Sequence, residues 1–311
     1  MRTYVRLGLL TLGAGLLLTG AIAGASPSLV GLWNLDEGSG TAAHDSSGNG
    51  NDGTLTNGPT WTSGKIGGAL SFDGADDYVQ VPDSNSLDLT SALTVAMWIK
   101  PSIAIPSPYD YFYTLLMKWH GTGDQWRTGY ALQIYSHGSA PGSVVLIRGH
   151  GSGQWSGVGG ASCTWNAGQW YHVAATYDTS SGGKIYVNGV LEGQDNENRA
   201  LAVNTLDLFI NSDPFEVGWH PQVKYFPGVI DDVRVYNGAL SGAGIAQLAQ
   251  SSGPPSCGSM PGSGAVGGMA ELPNVSGSSR PPYAALAGGL AAGVVAVGAG
   301  TWCARKRFSR R

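Results

Sequence analysis

Short apolar runs separated by glycine-rich turns fill residues 28–250, and no long amphipathic helix interrupts them. This spacing is typical of many short β-strands. In the stretch "LTVAMWIKP", alternation places four apolar side chains on one face, namely Leu93, Val95, Met97 and Ile99. Asn188 and Gly189 predict a tight hairpin, because both residue types adopt positive φ. We therefore predict an all-β domain, a two-sheet antiparallel sandwich or jelly roll, with one helical turn at 242–250.

The first 25 residues are typical of a secretory signal peptide. Arg2 and Arg6 precede an apolar run that ends in Ala23, Gly24 and Ala25. Basic residues, an apolar stretch and a small-residue cleavage site are the three parts of such a signal. We expect cleavage before residue 26, with an uncleaved membrane anchor as the alternative. The folded domain is then residues 26–250.

The C-terminal part indicates a stalk, a membrane span and a tail. Residues 251–282 consist mainly of glycine, serine and proline, so they cannot bury enough apolar surface to fold. Residues 283–304 carry no charge and would form a transmembrane helix of about 33 Å, enough to cross a bilayer. Residues 305–311 are basic, which favours the cytoplasmic side. The chain is thus predicted to be a single-pass protein of the cell membrane with its head outside.

A second reading of the anchor comes from "LPNVSG", residues 272–277, which resembles a sortase sorting signal of the form Leu-Pro-x-Thr-Gly. Val275 stands where the motif has threonine, and Ser276 stands where it has glycine. Sortase anchoring to the cell wall is therefore the alternative to a retained membrane helix.

Charge and cysteine usage limit the classes of partner. Between the predicted signal and the predicted span lie ten Lys and Arg against 21 Asp and Glu, a net charge of −11. An acidic surface argues against nucleic acid or anionic lipid as the partner. Cys163 and Cys257 can form a disulfide in an oxidising exterior, whereas Cys303 lies at the membrane boundary. No cysteine spacing indicates a zinc site.

Four stretches resemble the LamG-like, concanavalin A-like jelly-roll family over about residues 28–250. They are "LWNLDEGSGTAAHDSSGNGNDGTL", "GALSFDGADDYVQVPDS", "WYHVAATYDTSSGGKIYVNGVLEG" and "FPGVIDDVRVYNGALS". The resemblance implies two antiparallel sheets and, often, a calcium ion and a carbohydrate or protein ligand. It says little about the particular function, because this fold hosts many roles. Residues 109–160 match the family less well.

Two adjacent carboxylates stand inside the last predicted strand, "VIDDVRVYN". Alternation puts Asp231 on the face of Val229, Val233 and Val235, and Asp232 on the opposite face. Because they point in opposite directions, the two cannot form a catalytic pair. A carboxylate on an apolar face has to be paired, capped or bound to a metal.

Calcium suits such a carboxylate, being a hard cation that prefers oxygen ligands. In the laminarinase-type hydrolases that this chain resembles, an acidic residue after the first strand meets the aspartate of the last strand. The resemblance therefore implies a structural calcium ion held by Glu37, Asp45 and Asp231. The alternative is that Asp45 caps a turn and Asp231 accepts hydrogen bonds from backbone amides. For Asp73 we favour a turn over a place in a metal site.

A catalytic site is not predicted. Glycoside hydrolysis needs two carboxylates on one face of a cleft. The nearest match to the laminarinase-type motif is Glu192, Asp195 and Glu197, whose spacing puts the first two on opposite faces of a strand. Their glycine- and asparagine-rich surroundings also indicate a loop. His172 is predicted to be a hydrogen-bonded strand residue.

Aromatic and basic residues in the loops indicate a binding surface, because aromatic rings stack on apolar sugar faces while polar groups bind the hydroxyls. The candidate ligand-binding residues are Trp119, Trp126, Arg127, Trp155, Trp219 and His220. The alternative is that these rings fill space beneath the loops without contacting a ligand. Trp98, which lies in a predicted strand, is expected in the core. The predicted function is a non-catalytic cell-surface module that binds an extracellular glycan or a surface protein. The alternatives are a structural surface protein without a specific small ligand and a divergent glycoside hydrolase.

Overall fold

The computed structural model describes residues 26–105, 112–119, 127–136, 141–212 and 223–250. The predicted signal peptide, stalk, membrane span and tail lie outside these residues, as do Trp126, Trp219, His220 and Cys257. The strands are β1 Leu29–Trp33, β2 Ala42–Ala43, β3 Gly53–Thr56, β4 Thr60–Ser63, β5 Gly68–Phe72, β6 Tyr78–Val81, β7 Ala92–Pro101, β8 Phe112–Trp119, β9 Thr128–Tyr135, β10 Ser143–Gly151, β11 Gln154–Gly159, β12 Tyr171–Asp178, β13 Gly182–Val187, β14 Val190–Gln194, β15 Leu208–Ile210, β16 Val223–Tyr225 and β17 Gly228–Tyr236. A 3₁₀ turn spans Asn85–Leu87, and helix α1 spans Gly242–Ala249.

Within the described residues the strands form two sheets. Sheet A has the order β14-β13-β12-β7-β17-β5-β4, with β1 also paired to β17. Sheet B has the order β11-β10-β9-β8-β15-β6-β3-β2, with β16 also paired to β8. All pairs are antiparallel except β16 with β8. This arrangement confirms the predicted all-β jelly-roll sandwich.

The main core lies between the two sheets. The four alternating residues of β7 that were predicted to share a face all belong to it: Leu93, Val95, Met97 and Ile99. The opposite face of sheet A carries a smaller cluster of Ala96, Ala174 and Tyr186, which Ile245 of α1 covers. Sheet A therefore has side chains packed on both of its faces.

The predicted hairpin at Asn188 and Gly189 is confirmed. Val187 pairs with Val190, and the two residues between them have φ values of 50° and 79°. Two consecutive positive φ values give a turn whose twist matches that of the flanking strands.

A β-bulge interrupts β17 between Asp231 and Arg234. Asp231 lies opposite Trp98 and Arg234 lies opposite Ala96, so β17 has one more residue than β7 between these pairs. Asp232, with φ 51°, adopts the left-handed conformation in this bulge. An extra residue of this kind shifts the alternation of every side chain that follows it.

The bulge overturns the predicted face of Asp231. Ile230, Val233 and Val235 all belong to the main core, so the apolar face changes register between them. Asp231 instead faces the same side as its cross-strand partner Trp98, away from that core. The prediction that Asp231 shares a face with Val233 and Val235 is therefore wrong, because strict alternation fails at the bulge.

The helical turn predicted after the last strand is confirmed as α1. Its first turn is capped by Ser241, whose side chain accepts a hydrogen bond from the backbone N–H of Gly244. Among the described residues, no helix is both long enough and apolar enough to cross a membrane.

Candidate functional site

Three of the predicted ligand-binding residues lie at the same end of sheet B. Trp119 pairs with Gly129, Gly129 with Gly149, and Gly149 with Trp155. The two tryptophans thus lie in one row across four strands, about 14 Å apart at the usual strand spacing. Arg127 immediately precedes the strand that contains Gly129.

Arg127 is fixed against Trp155 and the turn beside it. The guanidinium carbon lies 5.7 Å from the centroid of the Trp155 ring, a cation–π distance. One guanidinium nitrogen donates to the carbonyl of Gly153 at 3.0 Å, and the carbonyl of Arg127 accepts from the N–H of Gly151 at 3.0 Å. Arg127 also has a φ of 60°, which is unfavourable for a residue with a side chain. The stacked pair of Arg127 and Trp155 is therefore held in place by the β10–β11 hairpin.

An apolar cluster underlies this pair on the face of sheet B that points away from the main core. It consists of Met117, Trp119, Ala131, Tyr135, Val145 and Ile147, with Phe112 and Trp155 packed against it. Trp119 is only 9% exposed, which agrees with the alternative of a ring that fills space. Trp155 is partly exposed. Of the predicted residues that the structure describes, Trp155 thus offers the more accessible ring.

Hydrogen bonds connect the other side of the β10–β11 hairpin to the segment that follows β14. His150 shares hydrogen bonds of 2.9 Å with the carbonyl of Ala200 and with the hydroxyl of Ser156. Burial lowers the pKa of His150, which favours the neutral form of its ring. Arg199 donates to the side chain of Gln154 at 3.2 Å. These bonds stabilise the turn that holds Arg127 and Trp155.

Asp231 anchors the loop between β4 and β5. Its Oδ2 accepts from the N–H of Lys65 at 2.7 Å and from the N–H of Ile66 at 2.9 Å. Asp36 accepts from Gly68 at the end of the same loop at 2.5 Å. Burial, the largest cause, raises the pKa of Asp231 to about 6. These contacts match the alternative in which Asp231 accepts hydrogen bonds from backbone amides. The role of Asp36 in holding this loop was not predicted from the sequence.

The three carboxylates predicted to hold calcium do not form one site. Among the described residues, the one group of three acidic, histidine or cysteine side chains with all ligand atoms within 4.8 Å is Asp73, Asp76 and Asp77. Both oxygens of Asp45 are engaged, since they accept from Leu32, Ser47 and Asn51.

Glu37 binds the residue that precedes Asp45. It accepts from the N–H of His44 through Oε1, while its Oε2 is buried without a hydrogen-bond partner. The three predicted ligands therefore do not meet in one cluster of ligand atoms, and calcium binding itself stays a prediction.

Two of the three carboxylates considered for glycoside hydrolysis are paired with arginines. Asp195 forms an ion pair with the fully buried Arg148. Glu197 is bonded to Arg199, which lowers the pKa of Glu197 to about 2. Burial raises the pKa of Glu192, which lies on β14. A general acid needs a raised pKa beside a second carboxylate, and the two neighbours of Glu192 are already committed to arginines.

The fold and this site define a concanavalin A-like domain. The family model described as the concanavalin A-like lectin/glucanases superfamily matches residues 73–246, more than half of the chain. The chain therefore belongs to this superfamily. No curated protein matches the sequence.

Three solved structures resemble this chain in fold, and two of them are described as binding domains. Domain 4 of AbnA, an extracellular arabinanase from Geobacillus stearothermophilus in complex with arabinotriose, is 23% identical with a TM-score of 0.51; the match covers 72% of this chain and 99% of that one. The binding domain of Paraclostridial Mosquitocidal Protein 1 is 15% identical with a TM-score of 0.56, covering 72% and 52%. The binding domain of Botulinum neurotoxin DC in complex with rat synaptotagmin II is 14% identical with a TM-score of 0.51, covering 72% and 51%. This chain thus matches about half the length of the last two, and these likenesses show the fold.

Proposed function

We propose that the chain is a non-catalytic binding module whose ligand is an extracellular glycan, bound at the surface formed by Arg127 and Trp155. We further propose that its C-terminal segment displays the module at the cell surface. The observation that carries the binding proposal is the stacked guanidinium and indole, held rigidly at the end of sheet B.

Rigidity supports this assignment. A ring and a guanidinium fixed before the ligand arrives lose little conformational entropy on binding. The partly exposed indole offers a surface for an apolar sugar face, and the guanidinium edge offers N–H donors for hydroxyl groups. Three solved domains of this fold are likewise described as binding domains or as complexes with a sugar or a protein.

The test is an oligosaccharide array probed with the head domain, defined as residues 26–250, which contains every strand that the structure describes. Any sugar that binds is then measured by calorimetry with Trp155→Ala. We expect a loss of affinity of at least tenfold, because an aromatic platform at the centre of a site contributes on the order of 2 kcal/mol.

A matched control is Trp170→Ala. Trp170 is also partly exposed and also lies beside a cation, with the Lys100 ammonium 4.9 Å from its ring, but it belongs to the sheet A side of the domain. Equal losses in the two variants would show that the effect is not local to the proposed site. No binding to any glycan, together with self-association of the head, would instead support a structural surface protein.

A further inference from the structure

Three side chains form a row across the centre of sheet A, on the face away from the main core. His172 lies opposite Trp98, and Trp98 lies opposite Asp231, on the adjacent strands β12, β7 and β17. The imidazole and indole rings meet edge to face, with centroids 5.1 Å apart. All three residues are at most 2% exposed. We call this set the outer-face row.

Each member of the outer-face row has a buried polar atom without a hydrogen-bond partner. These atoms are Trp98 Nε1, His172 Nδ1 and Asp231 Oδ1. A buried donor or acceptor that loses its water costs about 1–3 kcal/mol. Such groups are rare in native proteins, and ordered water is a frequent partner for them. Three of them on adjacent strands therefore lie where ordered water can bridge neighbouring members of the row.

The loop between β4 and β5 covers the Asp231 and Trp98 end of the row. The backbone amides of Lys65 and Ile66 occupy Asp231 Oδ2, which leaves Oδ1 directed elsewhere. The ammonium of Lys65 lies 5.0 Å from the centre of the Trp98 ring. The molecule that partners the row is therefore small and is enclosed rather than exchanged at an open surface.

The hydrogen-bonding capacity and the charge of the three groups limit which molecule can bridge them. The indole N–H is only a donor, so it cannot ligate a metal cation. The Asp231 carboxylate repels an anion. Burial lowers the pKa of His172 to about 4, so its ring is neutral near pH 7 and carries a single N–H. A molecule that donates to Asp231 and accepts from Trp98 has to combine both capacities at very small size, as water does.

We propose that the outer-face row is a buried hydration site, in which one or two ordered water molecules bridge Asp231, Trp98 and His172 across three strands. The bridge replaces direct side-chain hydrogen bonds and joins β17 to β7 and β12 outside the main core. Buried waters of this kind make about three hydrogen bonds each to groups that otherwise lack a partner.

High-resolution crystallography of the head domain tests the site directly. We expect a density peak within about 3 Å of at least two of the three atoms. The proposal is overturned if the row contains no ordered water, if Asp231 and Trp98 bond directly, or if the peak is a cation with oxygen distances of about 2.4 Å.

A double-mutant cycle provides a second test. Trp98→Phe and Asp231→Asn each remove or change one contact to a shared water. We therefore expect the unfolding equilibrium constant of the double variant to differ by more than about threefold from the value obtained by multiplying the two single effects. The control is Trp165→Phe, because the buried Trp165 indole donates directly to the carbonyl of Gly142 at 2.7 Å. It should combine multiplicatively with Asp231→Asn. Multiplicative behaviour of the Trp98 pair would refute the bridge. If a variant fails to fold, the crystallographic test of the unchanged protein still decides.

Discussion

Removal of the Asp195 carboxylate should strongly destabilise the head domain, because it leaves a guanidinium buried without its counter-charge. Arg148 is fully buried between the sheets. Its two terminal nitrogens both bond to Asp195, one of them at 3.1 Å, and its guanidinium carbon lies 4.8 Å from the centre of the Tyr177 ring. Asp195 also accepts from the N–H of Gly183 at 2.8 Å.

The expected magnitude follows from the burial of the cation. Breaking a buried ion pair by removing one partner costs about 3–5 kcal/mol. A value of about 4 kcal/mol corresponds to a roughly thousandfold change in the unfolding equilibrium constant. For a domain of this size, each kcal/mol lowers the melting temperature by about 2–4 °C, so Asp195→Ala should lower it by roughly 10 °C.

Urea and thermal unfolding of residues 26–250 measure this effect. Glu192→Ala is the matched control, since Glu192 belongs to the same acidic stretch and is not paired with an arginine in the structure; we expect a change below about 1 kcal/mol. The double variant Arg148→Met/Asp195→Ala removes the buried charge as well, so it should recover part of the lost stability.

An unchanged melting temperature in Asp195→Ala would refute the structural role of this carboxylate. Hydrolysis of a polysaccharide by the head domain, abolished in Glu192→Gln and Asp195→Asn, would go further and restore the glycosidase alternative. Lower stability without any turnover agrees with the proposed binding module.

Three further predictions concern the loop between β4 and β5 and calcium. The pKa of Asp231 rises from 3.8 to about 6 on folding, chiefly through burial, so the folded state retains a proton that the unfolded chain releases. Stability should therefore fall by about 3 kcal/mol between pH 4 and 6, and urea unfolding of Asp231→Asn should lack this decrease. Gly64→Ala should lower the melting temperature by several degrees more than Gly242→Ala, since a Cβ at Gly64 would lie 2.0 Å from the carbonyl oxygen of Gly68, whereas one at Gly242 meets nothing closer than 3.8 Å. The calcium prediction requires a higher melting temperature in millimolar calcium than in EDTA, with the increase abolished in Asp231→Ala, because Asp231 Oδ1 is buried without a hydrogen-bond partner; equal melting temperatures would contradict it.

Local patterns in the sequence were enough to predict several elements of the fold. The hairpin at Asn188 and Gly189 depends on the φ preferences of two neighbouring residues, and the structure confirms it. The apolar face of β7 depends on a period of two residues, and it too is confirmed. The family resemblance added the two-sheet architecture.

The candidate site was only partly accessible from the sequence. Trp155 and Arg127 were identified as aromatic and basic loop residues, whereas the structure places Trp155 on β11, and their contact depends on the pairing of β9, β10 and β11. Burial of Trp119 likewise depends on packing over sheet B. Its residue type alone therefore did not show whether the ring binds a ligand or fills space.

The sequence by itself therefore determined the strand class, the tight hairpin and the composition of the predicted binding surface, because these follow from short-range periodicity and residue chemistry. Only the tertiary structure decided the role of Asp231. Its hydrogen-bond partners Lys65 and Ile66 are 166 and 165 positions away, and a bulge at Asp232 changes the face on which it lies. Contacts between residues this distant in the chain depend on how the strands pair, and no local pattern encodes that pairing.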